Sequence, residues 1–226
     1  MLPDSREDIP ASVHLNFWKQ GLGRVPDSVW ECTDVETLVL ADNDLVEVPE
    51  RIGSLKQLRM LDLGHNQLTS LPDSLGALDG LADFLYLHDN RLSSFPASLG
   101  RLTRLKYLNA SDNPLGEFPE CVCGMASLVE LRLCDNGLAS LSATIARLSR
   151  LRELHLRNNR LASLPAGVGS LIELRTLDLR GNPLTKLPDE LCGLPRLEKL
   201  DLRWVSTLTL PSWIPDLEAR GCLVYR

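Results

Sequence analysis

The sequence predicts an α/β solenoid, a single stack of short parallel strands returned to one another by short helical or 3-10 turns on the outside. Three observations predict it. The segments Leu58–Leu78, Leu151–Leu171 and Leu174–Leu194 superimpose on one pattern, L-x-x-L-x-L-x-x-N-x-L-x-x-L-P-x-x-L-x-x-L. An asparagine recurs in that frame at positions 43, 66, 90, 113, 136, 159 and 182, every 23 residues apart from one step of 24 between Asn66 and Asn90. No break in composition interrupts the frame, so the chain reads as one domain. A unit that cannot bury its own apolar residues must stack on copies of itself.

Each part of the repeat has a physical reading. The L-x-L stretch alternates, so its leucines face one way and the intervening residue the other, as in a strand. The asparagine follows where the chain must turn. Its amide can donate to and accept from backbone groups that the turn leaves unpaired, so stacked copies predict an asparagine ladder. The L-P pair then sends the chain back, and L-x-x-L suits a short helix or 3-10 turn. All connections run the same way round, which makes the strands parallel.

The frame continues past the asparagine series. Leu15, Phe17, Leu22, Val25 and Pro26 fit before it, with Gln20 in the asparagine place; Leu197, Leu200, Leu202, Leu210 and Pro211 fit after it, with Val205 there. The expected division is a half-repeat cap at residues 1–11, nine repeats over 12–219 and a capping strand at 220–226. Leu2, Ile9 and Pro10 form a thin N-terminal cover. Trp213, Ile214 and Leu217 close the other end, which makes Trp213 a cap rather than a binding residue. A truncated last copy aligns Leu223 and Tyr225 with the strand leucines, and the one-residue insertion falls near Asp79–Asp83.

The sequence resembles the leucine-rich-repeat family from residue 2 to 226. Its 23-residue, L-P-containing repeat is similar to the plant intracellular Ras-group-related and Ras-suppressor-like subtype, which bacterial relatives also use. It departs from the extracellular subtype with cysteine-rich caps and from the shorter repeat of enterobacterial effector ligases. The resemblance implies a curved horseshoe with its parallel sheet on the concave face, and protein binding there. Basic residues are mostly Arg, with Lys only at 19, 56, 106, 186 and 199, which is compatible with a GC-rich bacterial genome.

Composition narrows the function. Apolar residues make up 44 % and charged residues 24 %, the balance of a folded, water-facing chain. The net charge of -6 argues against nucleic acid and anionic membranes as partners. No apolar run is long enough to span a bilayer, and the acidic N-terminus lacks a secretory pattern. Cys32, Cys121, Cys123, Cys134, Cys192 and Cys222 form no paired framework, so they read as reduced thiols and apolar filler. Cys121-Val-Cys123 is too short for a zinc site, which wants four converging ligands. The expectation is a cytoplasmic monomer, host-delivered if it is a bacterial effector, with no cofactor and no metal.

The frame also predicts which residues leave the leucine core. Equivalent positions of neighbouring repeats lie about 4.8 Å apart. The column before the strand leucine runs His14, Thr37, Met60, Phe84, Tyr107, Glu130, Glu153, Thr176, Lys199. The column after it runs Asn16, Val39, Asp62, Tyr86, Asn109, Arg132, His155, Asp178, Asp201. The next two run Trp18 to Arg203 and Lys19 to Trp204. Two clusters stand out. Met60, Phe84, Tyr86, His88 and Tyr107 gather the aromatics of the face on adjacent strands, and exposed aromatics in a patch favour an interface. Arg132, Arg157, Arg180 and Arg203 face Glu130, Glu153, Asp178 and Asp201, either as a second part of the interface or as a lattice of ion pairs in solvent.

No G-x-S-x-G, P-loop or H-E-x-x-H motif is present. His14, His65, His88 and His155 fall on separate strands with no nucleophile beside them. Cys134 has Ser111 and Arg157 as column neighbours and no histidine. The reading is therefore a non-catalytic module that binds a partner protein. The alternative is the substrate-recognition arm of a larger effector enzyme such as a ubiquitin ligase.

Overall fold

The computed structural model describes residues 13–226. The expected half-repeat cap, with Leu2, Ile9 and Pro10, lies outside the described residues. Ten three-residue strands form one sheet in chain order: β1 (His14–Asn16), β2 (Thr37–Val39), β3 (Met60–Asp62), β4 (Phe84–Tyr86), β5 (Tyr107–Asn109), β6 (Glu130–Arg132), β7 (Glu153–His155), β8 (Thr176–Asp178), β9 (Lys199–Asp201) and β10 (Leu223–Tyr225). Every neighbouring pair is parallel. The result is a curved solenoid with its sheet on the concave side.

The register follows the leucines. Leu38 pairs with Leu61, Leu61 with Leu85 and Leu85 with Leu108, and all four are fully buried. The residues that flank them point away from the core, because successive strand side chains alternate. The insertion before β4 leaves this intact, since Met60 pairs with Phe84 and Asp62 with Tyr86. The extra residue is taken up in the connection rather than in the strand, where a one-residue slip would reverse every side chain.

The outer connections are 3-10 turns of five residues, from Asp27–Glu31 to Asp189–Gly193. Five residues between a proline and the next core leucine leave room for i→i+3 bonds such as Leu55 N to Ile52 O at 3.1 Å. Proline precedes most of these turns in an extended conformation that launches the chain outward. Where Ser142 stands instead, its hydroxyl accepts from Thr144 N at 3.2 Å. Gly76 shows how tightly the turns stack: a Cβ there would lie 2.1 Å from Ser98 O.

The asparagine ladder is present and buried, with Asn113 2 % and Asn136 1 % exposed. Asn66 is representative. Its Oδ1 accepts from Asn43 N at 3.1 Å and Leu45 N at 3.0 Å, and its Nδ2 donates to Leu40 O and Leu63 O. Asn136 departs from the pattern. Its Oδ1 accepts from Asn113 N at 2.9 Å, but its buried Nδ2 has no partner among the described residues.

The residue just before each ladder position is left-handed without exception, from Lys19 (φ 55°) through Asp42, His65, Asp89, Asp112, Asp135, Asn158 and Gly181 to Trp204 (φ 61°). Asp, Asn and Gly tolerate this region best, which explains their prevalence in that column.

At the C-terminal end the pattern changes. An α-helix, α1 (Ile214–Ala219), replaces the 3-10 turn, and Ile214 and Leu217 are buried against the last repeat. Trp213 is nearly buried and its indole Nε1 donates to Asp189 Oδ1 at 2.9 Å, so it does close the core. The alignment of Leu223 and Tyr225 with the strand leucines is corrected by the register. Val224 pairs with Leu200, while Leu223 and Tyr225 stand opposite Lys199 and Asp201, exposed on the sheet face. The helix moves β10 one residue along relative to the 23-residue frame, which swaps the two faces of the strand. No helix among the described residues is long and apolar enough to cross a membrane.

Candidate partner-binding face

The strand residues that flank each leucine form the floor of the concave face, and the register places them in the expected columns. Met60, Phe84 and Tyr107 are consecutive neighbours across β3, β4 and β5, as are Asp62, Tyr86 and Asn109. The aromatic residues make one continuous surface. Tyr86 and Tyr107 have ring centroids 5.1 Å apart, Phe84 and Tyr107 5.5 Å, and Phe84 stacks on Tyr86 at 6.0 Å. Phe84 is 42 % exposed, although its two aromatic neighbours are half-buried. Burial pushes the Tyr107 hydroxyl up to about 12, and the nearby Arg132 charge only partly opposes it. Burial also raises Tyr86. Both hydroxyls are therefore proton donors at neutral pH.

His88 continues this surface toward the turn, edge-on to Tyr86 at 6.1 Å and to His65 at 4.7 Å. Gly64 makes room for it, because a Cβ there would come within 2.4 Å of His88 Cε1. Burial holds His88 below the ordinary histidine range, and the neighbouring His65 adds to the effect. Its Nδ1 is buried without a partner among the described residues. His65 was not among the expected binding residues. It bonds Asp89 through Nδ1 at 2.6 Å and is half of the histidine pair.

The arginine half is different in kind. Arg132 Nε bonds Glu130 at 2.5 Å, Arg157 bonds Asp135 at 3.1 Å, Arg180 grips Asp178 and Arg203 grips Asp201. Each pairs with an acid of its own or the adjacent repeat. Asp178 and Asp201 are buried, and burial alone would push both carboxyls up. The nearby His155 ring and bonds from Arg180 at Asp178, and bonds from Arg203 at Asp201, outweigh this and hold both below the usual carboxylate range. Arg132, Cys134, His155, Arg157 and Arg180 line a polar hollow of about 220 Å³. Burial pushes the Cys134 thiol up, against weaker bonds from Arg157 N and Ser111, so the thiol stays protonated. No disulfide joins the six cysteines.

Trp18 and Trp204 stand at opposite ends of the ridge beside the sheet, 59 % and 71 % exposed. The sequence places them in the outer columns but not in either cluster, because they are far apart along the stack.

Comparison with known proteins agrees with this architecture. The Leucine rich repeat family profile matches residues 33–92, 126–184 and 149–204, and a second Leucine Rich Repeat profile matches 104–125. No curated protein matches the sequence. Among solved structures, an LRR protein of Leptospira interrogans superimposes with a TM-score of 0.86 at 29 % identity, over 98 % of this chain and 62 % of that one. An internalin of Listeria monocytogenes shares the fold at 18 % identity, with a TM-score of 0.73 over 94 % of this chain and 58 % of its own. The LRR ectodomain of the Arabidopsis thaliana membrane receptor kinase GASSHO1/SCHENGEN3, solved in complex with CASPARIAN STRIP INTEGRITY FACTOR 2, matches at 30 % identity with a TM-score of 0.75, over 85 % of this chain. The chain spans 62 %, 58 % and 24 % of the lengths of these three. With repeat profiles over more than half of its length and one parallel sheet through all ten strands, the chain belongs to the leucine-rich-repeat family.

Proposed function

We propose that the chain is a non-catalytic protein-interaction module that holds a partner protein on its concave face, with Met60, Phe84, Tyr86, His88 and Tyr107 as the anchor. The observation that carries this is the exposed edge of a connected aromatic surface on β4 and β5, beside the polar and charged residues that β6 to β9 present on the same face. Large rings at the centre of an interface carry much of its energy. The receptor ectodomain that resembles this chain is itself described in complex with CASPARIAN STRIP INTEGRITY FACTOR 2. Arg132, Arg157, Arg180 and Arg203 serve as the polar rim. Each is already paired, so a partner gains less from them than from desolvated aromatics.

The test is affinity capture followed by measured binding of the recovered partner. Tyr86→Ala with Tyr107→Ala is expected to weaken binding at least about tenfold, the loss of one or two anchors. Arg157→Glu with Arg180→Glu is the matched comparison. Abolished binding in the arginine pair with full binding in the tyrosine pair moves the interface to the other half of the face.

A further inference from the structure

The parallel register sets Glu130 directly beside Glu153, on β6 and β7, and places His155 two residues along from Glu153 on the same face. Like charges directly opposite one another in a sheet repel, so this pair calls for a cation. One oxygen of each glutamate and a ring nitrogen of His155 all lie within 4.8 Å of one another. His155 Nε2 is 3.1 Å from Glu153 Oε2 and 3.9 Å from Glu130 Oε1. Donors bound about 2.1 Å from one metal ion sit roughly 3 to 3.5 Å from each other, so the cluster is within small side-chain movements of a coordination shell.

A second feature points the same way. The other ring nitrogen, Nδ1, faces the carboxylate of Asp178 at 4.0 Å. Asp178 is buried and fixed by Arg180, whose Nε and Nη2 bond its two oxygens at 2.9 and 2.5 Å. At 4.0 Å this contact is longer than a hydrogen bond, and Nε2 bonds Glu153 Oε2 at 3.1 Å. A metal ion that displaces the Nε2 proton leaves Nδ1–H facing Asp178, a carboxylate of the kind that commonly stands behind a metal-bound histidine. His155 itself is largely enclosed, with its side chain 15 % exposed, so the ring has little freedom to turn away.

One cation already reaches the cluster. Arg132 Nε bonds Glu130 Oε1 at 2.5 Å, on the same oxygen that approaches His155. We propose that Glu130, Glu153 and His155 form a binding site for a divalent transition-metal ion, and that Arg132 competes with the metal for Glu130. An imidazole with two carboxylates suits zinc-like ions over calcium or magnesium, which prefer oxygen alone. Three protein donors leave one tetrahedral position for water or for a donor from a bound partner. The site begins on the strand beside the aromatic anchor, where Glu130 pairs in register with Tyr107, but takes none of its donors from the anchor.

The experiment is calorimetric titration of the purified chain with zinc chloride, in a Cys134→Ser background that removes the nearby thiol. One ion per chain is expected. His155→Gln should weaken zinc binding at least about tenfold, roughly one donor's share. Arg132→Gln should tighten it several-fold, an outcome that a variant damaged in folding cannot produce. Calcium should give no heat at the same concentrations. Zinc affinity equal to that of the parent in either His155→Gln or Arg132→Gln overturns the proposal, as does a parent chain that binds no zinc.

Discussion

Asp201, with no exposed surface, is held by its near neighbour Arg203 through two parallel bonds, Nε to Oδ1 at 2.9 Å and Nη2 to Oδ2 at 2.7 Å. The two residues lie on the same face of β9 and its continuation, so the strand itself brings them together. Asp201→Asn keeps the shape and removes the charge. It should destabilise the chain by about 1–3 kcal/mol at neutral pH, because the buried side chain of Asp201 loses its charge-assisted bonds to the part-exposed Arg203. The folded carboxyl is held below its ordinary value of 3.8. Its contribution is therefore complete above that value and disappears as pH falls through the lower folded one. Urea melts of parent and variant should differ fully at pH 7 and 5 and converge in stronger acid. A gap that does not narrow at all as pH falls below 3.8 would mean that the charge is not its source.

His88 gives the opposite titration. Burial, then the charge of His65, holds it below 6.5 in the folded chain, against the pull of Asp62, Asp89 and Asp112. The unfolded chain then takes up this proton more readily than the folded one, so stability falls as pH drops through 6.5. Melting temperatures measured between pH 7.5 and 5 should decline in the parent. His88→Gln should flatten part of that slope, and an identical slope in both chains would count against burial of a neutral ring.

The ladder predicts an order among its rungs. Asn159 Oδ1 accepts from Asn136 N and Leu138 N, and its Nδ2 donates to Leu133 O and Leu156 O at 2.8 Å each. Asn136 makes fewer bonds, with its Nδ2 unpartnered. Asn159→Ala should therefore cost about 1–3 kcal/mol, and Asn136→Ala measurably less. Equal costs in urea denaturation would show that burial of the amide, not its partners, sets the energy.

Trp204 carries a left-handed backbone at 71 % exposure. Such a conformation costs an L-residue about 1–2 kcal/mol, and asparagine bears it better. Trp204→Asn is expected to raise stability by about 0.5–1 kcal/mol, read as a higher melting temperature. A fall instead would show that the Arg203 guanidinium, 5.9 Å over the ring, more than offsets the strain.

The parts of this fold that could be read from sequence are those set by two periods. Strand alternation and the 23-residue step place Tyr86 beside Asp62 and Asn109, and the register agrees. The insertion near Asp79–Asp83 did not disturb this, because connections absorb length more easily than strands. The 23-residue frame puts Leu223 and Tyr225 on the wrong face, because the final helix, unlike a 3-10 turn, changes the count of residues between strands. The column from Asp42 to Gly181 announced its left-handed backbone through its Asp, Asn and Gly content, a signal that a reading of side-chain faces passes over. Pairing of Arg180 with Asp178 rather than with a ligand depends on rotamers, which spacing does not fix. The donors at Glu130, Glu153 and His155 lie 2 and 23 residues apart, outside any local metal-binding motif.

The ladder has a direction. Each asparagine side chain turns back on the repeat before it: Asn66 accepts from Asn43 N and Leu45 N and donates to Leu40 O, and Asn159 does the same for Asn136, Leu138 and Leu133. A turn is thus completed by a residue 21 to 27 positions downstream. On the ribosome, each coil waits open until the next has emerged, so closure trails synthesis by one repeat. Within the ladder, loss of a coil from the C-terminal end strips the bonds from the turn it leaves behind, whereas loss from the other end takes only the upstream partners of one asparagine side chain; the backbone bonds between coils are cut either way. Val205 offers no such group to Asn182; the segment after it reaches the same turn instead, with Thr207 Oγ1 donating to Leu184 O at 2.7 Å and Thr209 N to Thr185 O at 3.2 Å.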